Sequence, residues 1–230
     1  MIDLRCGDCL EVMKQIPDHS VDLIVTDPPY LISTNKGGGS MHKAGKLRSL
    51  KELERDNINK GYDIEAFGNL VFKLQKNINI YIWCNKMQIP DYFNFYVDKH
   101  KCKFDIIVWN KTNPIPTYSN KYLSDTEYCL YFRKGGYCIP QSYEDAKTYY
   151  YAPINASDKR MWGHPTIKPI DITEKLIRNS SKPNDIVLDP FMGSGTTGVA
   201  CKHLNRNFIG IELNEKYFQV AQDRINGELL

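Results

Sequence analysis

The residues with the clearest chemical potential are Asp27, Pro28, Pro29 and Tyr30, which directly follow an apolar run. Two successive prolines fix φ and stiffen the turn, so the Asp27 carboxylate and the Pro28 carbonyl are held with little freedom. These acceptors suit an amino group whose lone pair is delocalised into a ring, because accepting hydrogen bonds from its protons favours a pyramidal nitrogen. Tyr30 offers a flat face on which an extruded base can stack. The alternative is a tight strand-to-helix turn capped by Asp27.

A second feature is the glycine-rich stretch from Asp189 to Gly198, which lies between an apolar run and a helical pattern. Its glycines permit a tight turn, and a helix start offers unpaired N–H donors to a ligand. A phosphate-binding loop is excluded because the Gly-Lys-Ser/Thr ending is missing. Gly193 and Gly195, with Glu212 about 20 residues on, favour an adenosine-containing cofactor. The glycines alone leave a nicotinamide dinucleotide and S-adenosylmethionine open, and the amine-directed chemistry of Asp27 favours the latter.

Four acids stand where predicted strands end: Asp8, Asp27, Asp189 and Glu212. In open α/β sheets, ligands bind outside the carboxyl ends of the strands, near the point where strand order reverses. We therefore expect these side chains to share one site. For Asp8, a helix N-cap is the alternative.

The elements that must position these residues are short β-rich runs alternating with helical patterns, which indicates a mostly parallel sheet with helices on both faces. A chain of 230 residues with 42% hydrophobic content suffices for one domain over residues 1–230. The seven predicted strands are Ile2–Cys6, Val21–Thr26, Ile78–Trp83, Phe104–Trp109, Glu127–Phe132, Asp185–Leu188 and Asn207–Ile211. The predicted helices are Cys9–Gln15, Ile64–Lys76, Ile170–Asn179, Thr196–His203 and Glu215–Arg224.

Composition excludes several other classes of protein. Seven cysteines without an export signal favour reduced thiols, and the lone pair Cys6 and Cys9 lacks the second ligand pair of a zinc site, so we expect no metal. Apolar runs are far shorter than the roughly 20 residues of a membrane span. A net charge of +3 is too small to indicate a nucleic-acid partner by itself.

Taken together, the motifs resemble those of the DNA amino-methyltransferases that act on adenine N6 or cytosine N4, in the permuted class with the catalytic motif first. The resemblance spans nearly the whole chain. The matching segments are Gly7–Leu10, Val21–Tyr30, Trp109–Lys111, His164–Pro169, Asp189–Gly198 and Phe208–Glu212.

The resemblance implies a circularly permuted, Rossmann-like methyltransferase fold with S-adenosylmethionine as cofactor. It implies that Asp8 binds the adenine amine, Glu212 the ribose hydroxyls, and Thr166 with Lys168 the carboxylate. The turn from Asp189 to Thr197 would hold the methionine portion. The expected cofactor-binding residues are Asp8, Cys9, Asp27, Thr166, Lys168, Asp189, Phe191, Gly193, Ser194, Gly195, Thr196, Thr197, Glu212 and Leu213.

The implied reaction is direct in-line transfer of the methyl group to the exocyclic N6 of adenine in a flipped base, with Asp27, Pro28, Pro29 and Tyr30 as the catalytic residues. Adenine is favoured because the cytosine-N4 members more often carry Ser at the position of Asp27. Cytosine-N4 transfer and methylation of RNA or a protein amide remain alternatives. A C5-cytosine enzyme is excluded, since none of the twelve prolines precedes a cysteine that would serve as nucleophile.

Three segments are candidates for DNA recognition. Residues 34–60 form a polar, basic stretch that we predict to be a mobile DNA-contacting loop, although a solvated loop fits equally well. Residues 111–121 and 141–160 are the other two. We expect double-stranded DNA as partner, a homodimer, a possible cognate restriction endonuclease, no membrane, and the cytoplasm of a prokaryotic or phage-infected cell. The expected DNA-binding residues are Lys43, Lys46, Arg48, Lys111, Asn113 and Tyr118.

Overall fold

The computed structural model describes residues 1–30, 62–116, 120, 122–154, 161–162 and 167–227. Its centre is one eight-stranded sheet in the order β1-β8-β7-β2-β3-β5-β4-β6. The strands are β1 Ile2–Cys6, β2 Leu23–Thr26, β3 Ile78–Cys84, β4 Lys103–Lys111, β5 Thr126–Lys134, β6 Tyr149–Ala152, β7 Ile186–Asp189 and β8 Asn207–Glu212.

The predicted α/β class is confirmed, and all seven predicted strands are present. The predicted count is one short for the described residues, because β6 pairs in parallel with β4 at the edge of the sheet. This strand lies in the 141–160 segment that we assigned to recognition. Two of its three tyrosines are exposed, so the four-residue run has no buried apolar pattern to mark it as a strand.

The sheet places the two ends of the chain side by side. Strands β7 and β8, from the carboxyl-terminal part, lie between β1 and β2 from the amino-terminal part. All pairings are parallel except those of β5, which runs antiparallel to β3 and β4. A permuted methyltransferase predicts this interleaving, and the assignment to the permuted class stays a prediction.

Helices cover both faces of the sheet. The five predicted helices are present, although α1 is shorter than predicted. Two short helices, α3 and α4, were not predicted, and α3 continues directly as a π-helix over Asn94–Lys99. The helices are α1 Cys9–Met13, α2 Ile64–Leu74, α3 Ile89–Phe93, α4 Tyr143–Ala146, α5 Ile170–Ser180, α6 Thr196–His203 and α7 Glu215–Asn226.

Apolar spacing explains which helix faces are buried. In α2, Phe67, Val71 and Leu74 recur at helical intervals and are fully buried against one side of the sheet. On the opposite side, α5, α6 and α7 contribute a second cluster that includes Ile172 and Ile225. The strands between them are buried on both faces, and β3 is buried at every residue. The core thus fixes the edge at which the strands end.

Several predictions fall on residues outside the described part. These are residues 34–60 with Lys43, Lys46 and Arg48, and also Tyr118 and Thr166. Within the described residues, no helix is both long and apolar enough to cross a membrane. The same residues contain no cluster of His, Cys, Asp and Glu able to hold a metal ion.

Candidate active site

The four acids predicted to share a site do so. Asp8, Asp27, Asp189 and Glu212 all line one cavity of about 290 Å³ at the edge where β1, β2, β7 and β8 end. Parallel strands bring these ends together although the residues are far apart in sequence. Most of the predicted cofactor residues line this cavity: Asp8, Cys9, Asp27, Lys168, Asp189, Phe191, Gly193, Ser194, Thr196, Thr197, Glu212 and Leu213.

Asp27 lines the cavity and belongs to a network of charged groups. Its Oδ1 accepts a hydrogen bond from the Tyr30 hydroxyl (2.8 Å), and its Oδ2 pairs with the Lys168 ammonium. Gln88 Nε2 donates to the Pro29 carbonyl (3.3 Å) and so anchors the turn. Burial raises the pKa of the Asp27 carboxyl, although the Lys168 ammonium opposes that rise. The carboxylate is therefore fixed in place by its neighbours as well as by the two prolines.

Lys168 was predicted to meet a cofactor carboxylate, and the structure places its ammonium between two protein carboxylates. Beside Asp27, its Nζ lies 3.3 Å from Oε2 of Glu127, and only 8% of the Lys168 side chain is exposed. Burial lowers the pKa of Lys168, but the two carboxylates outweigh this effect and the net shift is upward. Lys168 therefore stays charged.

Glu127 is the site residue that sequence reasoning missed. Its Oε1 lies 2.7 Å from the Lys111 ammonium, which is the second cation of the network. Burial alone would raise the pKa of Glu127, but Lys168 and Lys111 outweigh it and lower the pKa to about 2. Glu127 lies at the start of β5, whereas the acids predicted to form the site lie at the carboxyl ends of strands. The rest of β5, Thr126–Lys134, contains no motif that marks Glu127 as an active-site residue.

Asp189 links the glycine-rich turn to β2, the strand that directly precedes Asp27. Its Oδ1 accepts from the Thr26 hydroxyl (2.8 Å) and the Phe191 N–H (3.1 Å), and its Oδ2 accepts from the Thr197 hydroxyl (2.7 Å). Thr26 immediately precedes Asp27. Burial raises the pKa of Asp189 to about 7 despite these hydrogen bonds. Asp189 therefore holds the turn and Asp27 in a fixed relation.

Glu212 also holds the glycine-rich turn, through a hydrogen bond from the backbone of Gly193. Its Oε2 accepts from the Gly193 N–H (2.9 Å) and its Oε1 accepts from the Asn214 N–H (2.8 Å). Gly193 has a φ of 51°, a conformation that favours glycine. These bonds orient the carboxylate and leave further lone pairs for a ligand's hydroxyl groups.

The other two glycines of the motif serve packing rather than ligand approach. A Cβ on Gly198 would lie 2.4 Å from Ile225 Cδ1 and 2.7 Å from Phe208 Cε1. A Cβ on Gly195 would lie 3.0 Å from the same Ile225 atom, and its φ of 79° also favours glycine. Small residues here let α6 lie close to α7 and β8, which sets the position of the helix start.

Asp8 is a helix cap, as the alternative interpretation held. Its Oδ1 accepts from the N–H groups of Leu10 (2.9 Å) and Glu11 (3.2 Å) at the start of α1. Its place in the cavity lining is equally clear. Because capping uses only one carboxylate oxygen, the two roles are compatible.

A comparison with protein families identifies the chain. The family model described as DNA methylase, N6_N4_Mtase, matches residues 21–223. The chain belongs to this DNA methylase family. Similar proteins include the Type II methyltransferase M.HinfI of Haemophilus influenzae, 32% identical over 95% of this chain and 67% of that protein. The Type II methyltransferase M2.LlaDCHI of Lactococcus lactis subsp. cremoris is also 32% identical, over 96% of this chain and 87% of its own length.

Solved structures of similar shape agree with this assignment. The M1.HpyAVI complex with S-adenosylmethionine has a TM-score of 0.70 and 30% identity, covering 97% of this chain and 100% of that one. The cytosine-N4-specific PvuII DNA methyltransferase has a TM-score of 0.72 but only 17% identity, so it shows the shared fold. S-adenosylmethionine is accordingly the cofactor of the methylase.

The cavity of the methylase fits this cofactor. Glu212 and Asp8 provide fixed carboxylates for hydroxyl and amino groups, and Phe191 and Leu213 provide apolar surface beside them. Ser194 and Thr196, at the glycine-rich turn, are held by Arg224, whose Nη1 donates to the Thr196 hydroxyl (2.9 Å) and to the Ser194 hydroxyl (3.2 Å). Helix α7 thus holds the polar turn in place through Arg224. Arg224 had no motif that marked it in the sequence.

The described parts of two predicted recognition segments lie next to each other. Strand β6 pairs with β4 up to the register Lys111 with Ala152, and the Ile154 N–H donates to Asn113 Oδ1 (2.6 Å). Asn113 and Lys111 therefore have protein partners in the structure. Exposed tyrosines 149 and 151 lie on the same edge of the sheet. The described parts of the two segments thus pair with each other, and Lys111 connects them to the active-site network through Glu127.

Proposed function

We propose that the methylase transfers a methyl group to the exocyclic N6 of adenine in double-stranded DNA. The observation that carries this proposal is the placement of Asp27, a rigidly held carboxylate, in the lining of the cofactor cavity. The Asp27 carboxylate and the Pro28 carbonyl would accept hydrogen bonds from the two protons of the amine. This arrangement orients the nitrogen lone pair toward the cofactor cavity. The target base can reach this site only after it has been extruded from the duplex.

When bound, S-adenosylmethionine supplies an electrophilic methyl group, and the electrons of the carbon–sulfur bond return to sulfur. Asp8, Glu212 and the turn from Asp189 to Thr197 would hold the adenosine and methionine portions. The amine nitrogen gains the methyl group and must lose one proton. Burial raises the pKa of Asp27, so this carboxylate is suited to accept that proton and pass it to solvent. The ring of Tyr30 would stack on the extruded base.

The experiment is methylation of mixed-sequence duplex DNA with isotope-labelled cofactor, followed by mass spectrometry of the nucleosides. N6-methyladenine is expected, and it should disappear in Asp27→Ala while calorimetry still detects cofactor binding. Asp98→Ala, at an exposed position of the π-helix, is the matched control and should keep activity. N4-methylcytosine as the product would overturn the choice of base. Methyl transfer only to RNA or protein would overturn DNA as the substrate.

We further propose that the loop of residues 34–60 and the paired segments 111–121 and 141–160 contact DNA. Lys43, Lys46, Arg48 and Tyr118 would contribute to this surface, beside Lys111. The proposal includes one methyltransferase domain, a homodimer, and a cytoplasmic location where DNA is available. A cognate restriction endonuclease is a further proposed partner, in keeping with relatives that are named Type II methyltransferases. Sedimentation with and without duplex DNA tests the dimer, and single-molecule sequencing of the methylated DNA reads the recognition site.

A further inference from the structure

Both oxygens of the Asp27 carboxylate already have partners within the protein. Oδ1 accepts from the Tyr30 hydroxyl, and Oδ2 pairs with the Lys168 ammonium. The proposed reaction needs Asp27 to accept a hydrogen bond from the target amine. Lys168 competes with the amine at Oδ2, because its ammonium brings a full positive charge to the carboxylate and the amine does not. A carboxylate has about four lone-pair sites, so the amine can bind beside the ammonium, but Asp27 becomes a stronger acceptor once the ammonium moves off Oδ2.

Glu127 is the second carboxylate within reach of that ammonium. Its Oε2 lies 3.3 Å from Lys168 Nζ. This oxygen is buried and receives no hydrogen bond from any residue in the described part of the chain. Its contact with Lys168 is a long ion pair that falls short of hydrogen-bond geometry, so Glu127 Oε2 gains by receiving the ammonium as a hydrogen-bond donor. The required shift is small, from 3.3 Å to an ordinary charged hydrogen bond of about 2.8 Å.

We propose that Glu127 is a positioning residue that draws Lys168 away from Asp27 when the target amine enters. Asp27 Oδ2 is then free to accept a hydrogen bond from the amine. Four charges alternate in the network, in the order Asp27, Lys168, Glu127 and Lys111, so the shift of Lys168 leaves the total charge unchanged. Lys111 keeps the other oxygen of Glu127 in place. This inference rests on the proposed role of Asp27 in methyl transfer.

The primary test is Glu127→Gln, which keeps the shape of the side chain and removes its charge. Lys168 should then remain on Asp27. At saturating DNA and cofactor, kcat should fall by about tenfold or more, equivalent to about 1.4 kcal/mol in the activation free energy. The Kd for S-adenosylmethionine, measured by calorimetry, should change by less than about threefold. Glu65→Gln breaks an exposed ion pair with Lys99 and is the matched control, with unchanged kcat.

Two further variants separate this role from a merely structural one. If the Lys111 and Glu127 pair only joined β4 to β5, Lys111→Met and Glu127→Gln would lower kcat equally, since both break the same ion pair. In our proposal, Lys111→Met leaves the negative charge of Glu127 beside Lys168. The kcat of Lys111→Met should therefore stay clearly higher than that of Glu127→Gln. Glu127→Asp keeps the charge on a shorter side chain, and its kcat should lie between those of the wild type and Glu127→Gln. It also serves if Glu127→Gln fails to fold.

Equal losses in Lys111→Met and Glu127→Gln would overturn the inference, as would a Glu127→Gln kcat within about twofold of wild type. A Glu127→Asp variant less active than Glu127→Gln would overturn it as well. If Asp27→Ala is inactive while Glu127→Gln is unaffected, the inference fails alone and the proposed function stands. If the wild type does not methylate DNA, the proposed function itself fails.

Discussion

The stability of the protein should depend on pH through Asp189, whose side chain is buried at the end of β7. Burial raises the pKa of this carboxyl from 3.8 to about 7, and the nearby charge of Asp27 adds to the rise. The folded protein therefore keeps a proton between about pH 4 and pH 7 that the unfolded chain has lost. The stabilisation that the Asp189 carboxyl contributes is fully present below its pKa in the unfolded chain, 3.8. It is lost as the pH rises from there through the pKa in the folded protein, about 7. At 1.36 kcal/mol per pH unit, the total loss is about 4 kcal/mol.

Asp189→Asn removes this pH dependence with little change in shape. Asn Oδ1 accepts from the Thr26 hydroxyl and the Phe191 N–H as the carboxylate does, and Asn Nδ2 can donate to the Thr197 hydroxyl. Relative to wild type, the variant should gain about 2 to 3 kcal/mol in free energy of unfolding between pH 5 and pH 8.

The measurement is urea-induced unfolding of wild type and Asp189→Asn at both pH values. Taking the difference between the two proteins cancels the titration of groups that do not interact with Asp189. Asp98→Asn, at an exposed position, is the control for an Asp to Asn change as such. A difference between wild type and Asp189→Asn that stays constant from pH 5 to pH 8, within about 0.5 kcal/mol, would refute the reasoning.

Two further predictions concern the elements around the cofactor cavity. Gly198→Ala should lower the free energy of unfolding by about 1 to 3 kcal/mol, because its Cβ would meet Ile225 and Phe208. In urea unfolding, adding Ile225→Val should recover part of that loss, since it removes the Cδ1 atom 2.4 Å away; no recovery would count against the packing role. Asp8→Ser keeps a helix cap but lacks a carboxylate, so stability should hold while calorimetry shows weaker cofactor binding. Unchanged binding would leave Asp8 as a cap alone.

The fold class and the acids at the ends of the parallel strands could be predicted from the sequence. Asp27, Asp189 and Glu212 each follow a short apolar strand, and the carboxyl ends of parallel strands meet at one edge. Local order along the chain was therefore enough to expect them in one cavity. Both the helices around the glycine-rich turn and the glycines within it were also readable from local spacing.

The position of Glu127 and the partners of Lys168 became visible only in the folded structure. Strand β5 runs antiparallel to β3, with Cys84 opposite Tyr128, so the start of β5 lies at the edge where β2 and β3 end. Only this reversal brings Glu127 to the active site, and no local pattern announces a strand's direction. Likewise, Lys168 meets Asp27 across 141 residues of sequence. Pairing between distant segments depends on how the whole sheet assembles, which local residue type and spacing alone do not reveal.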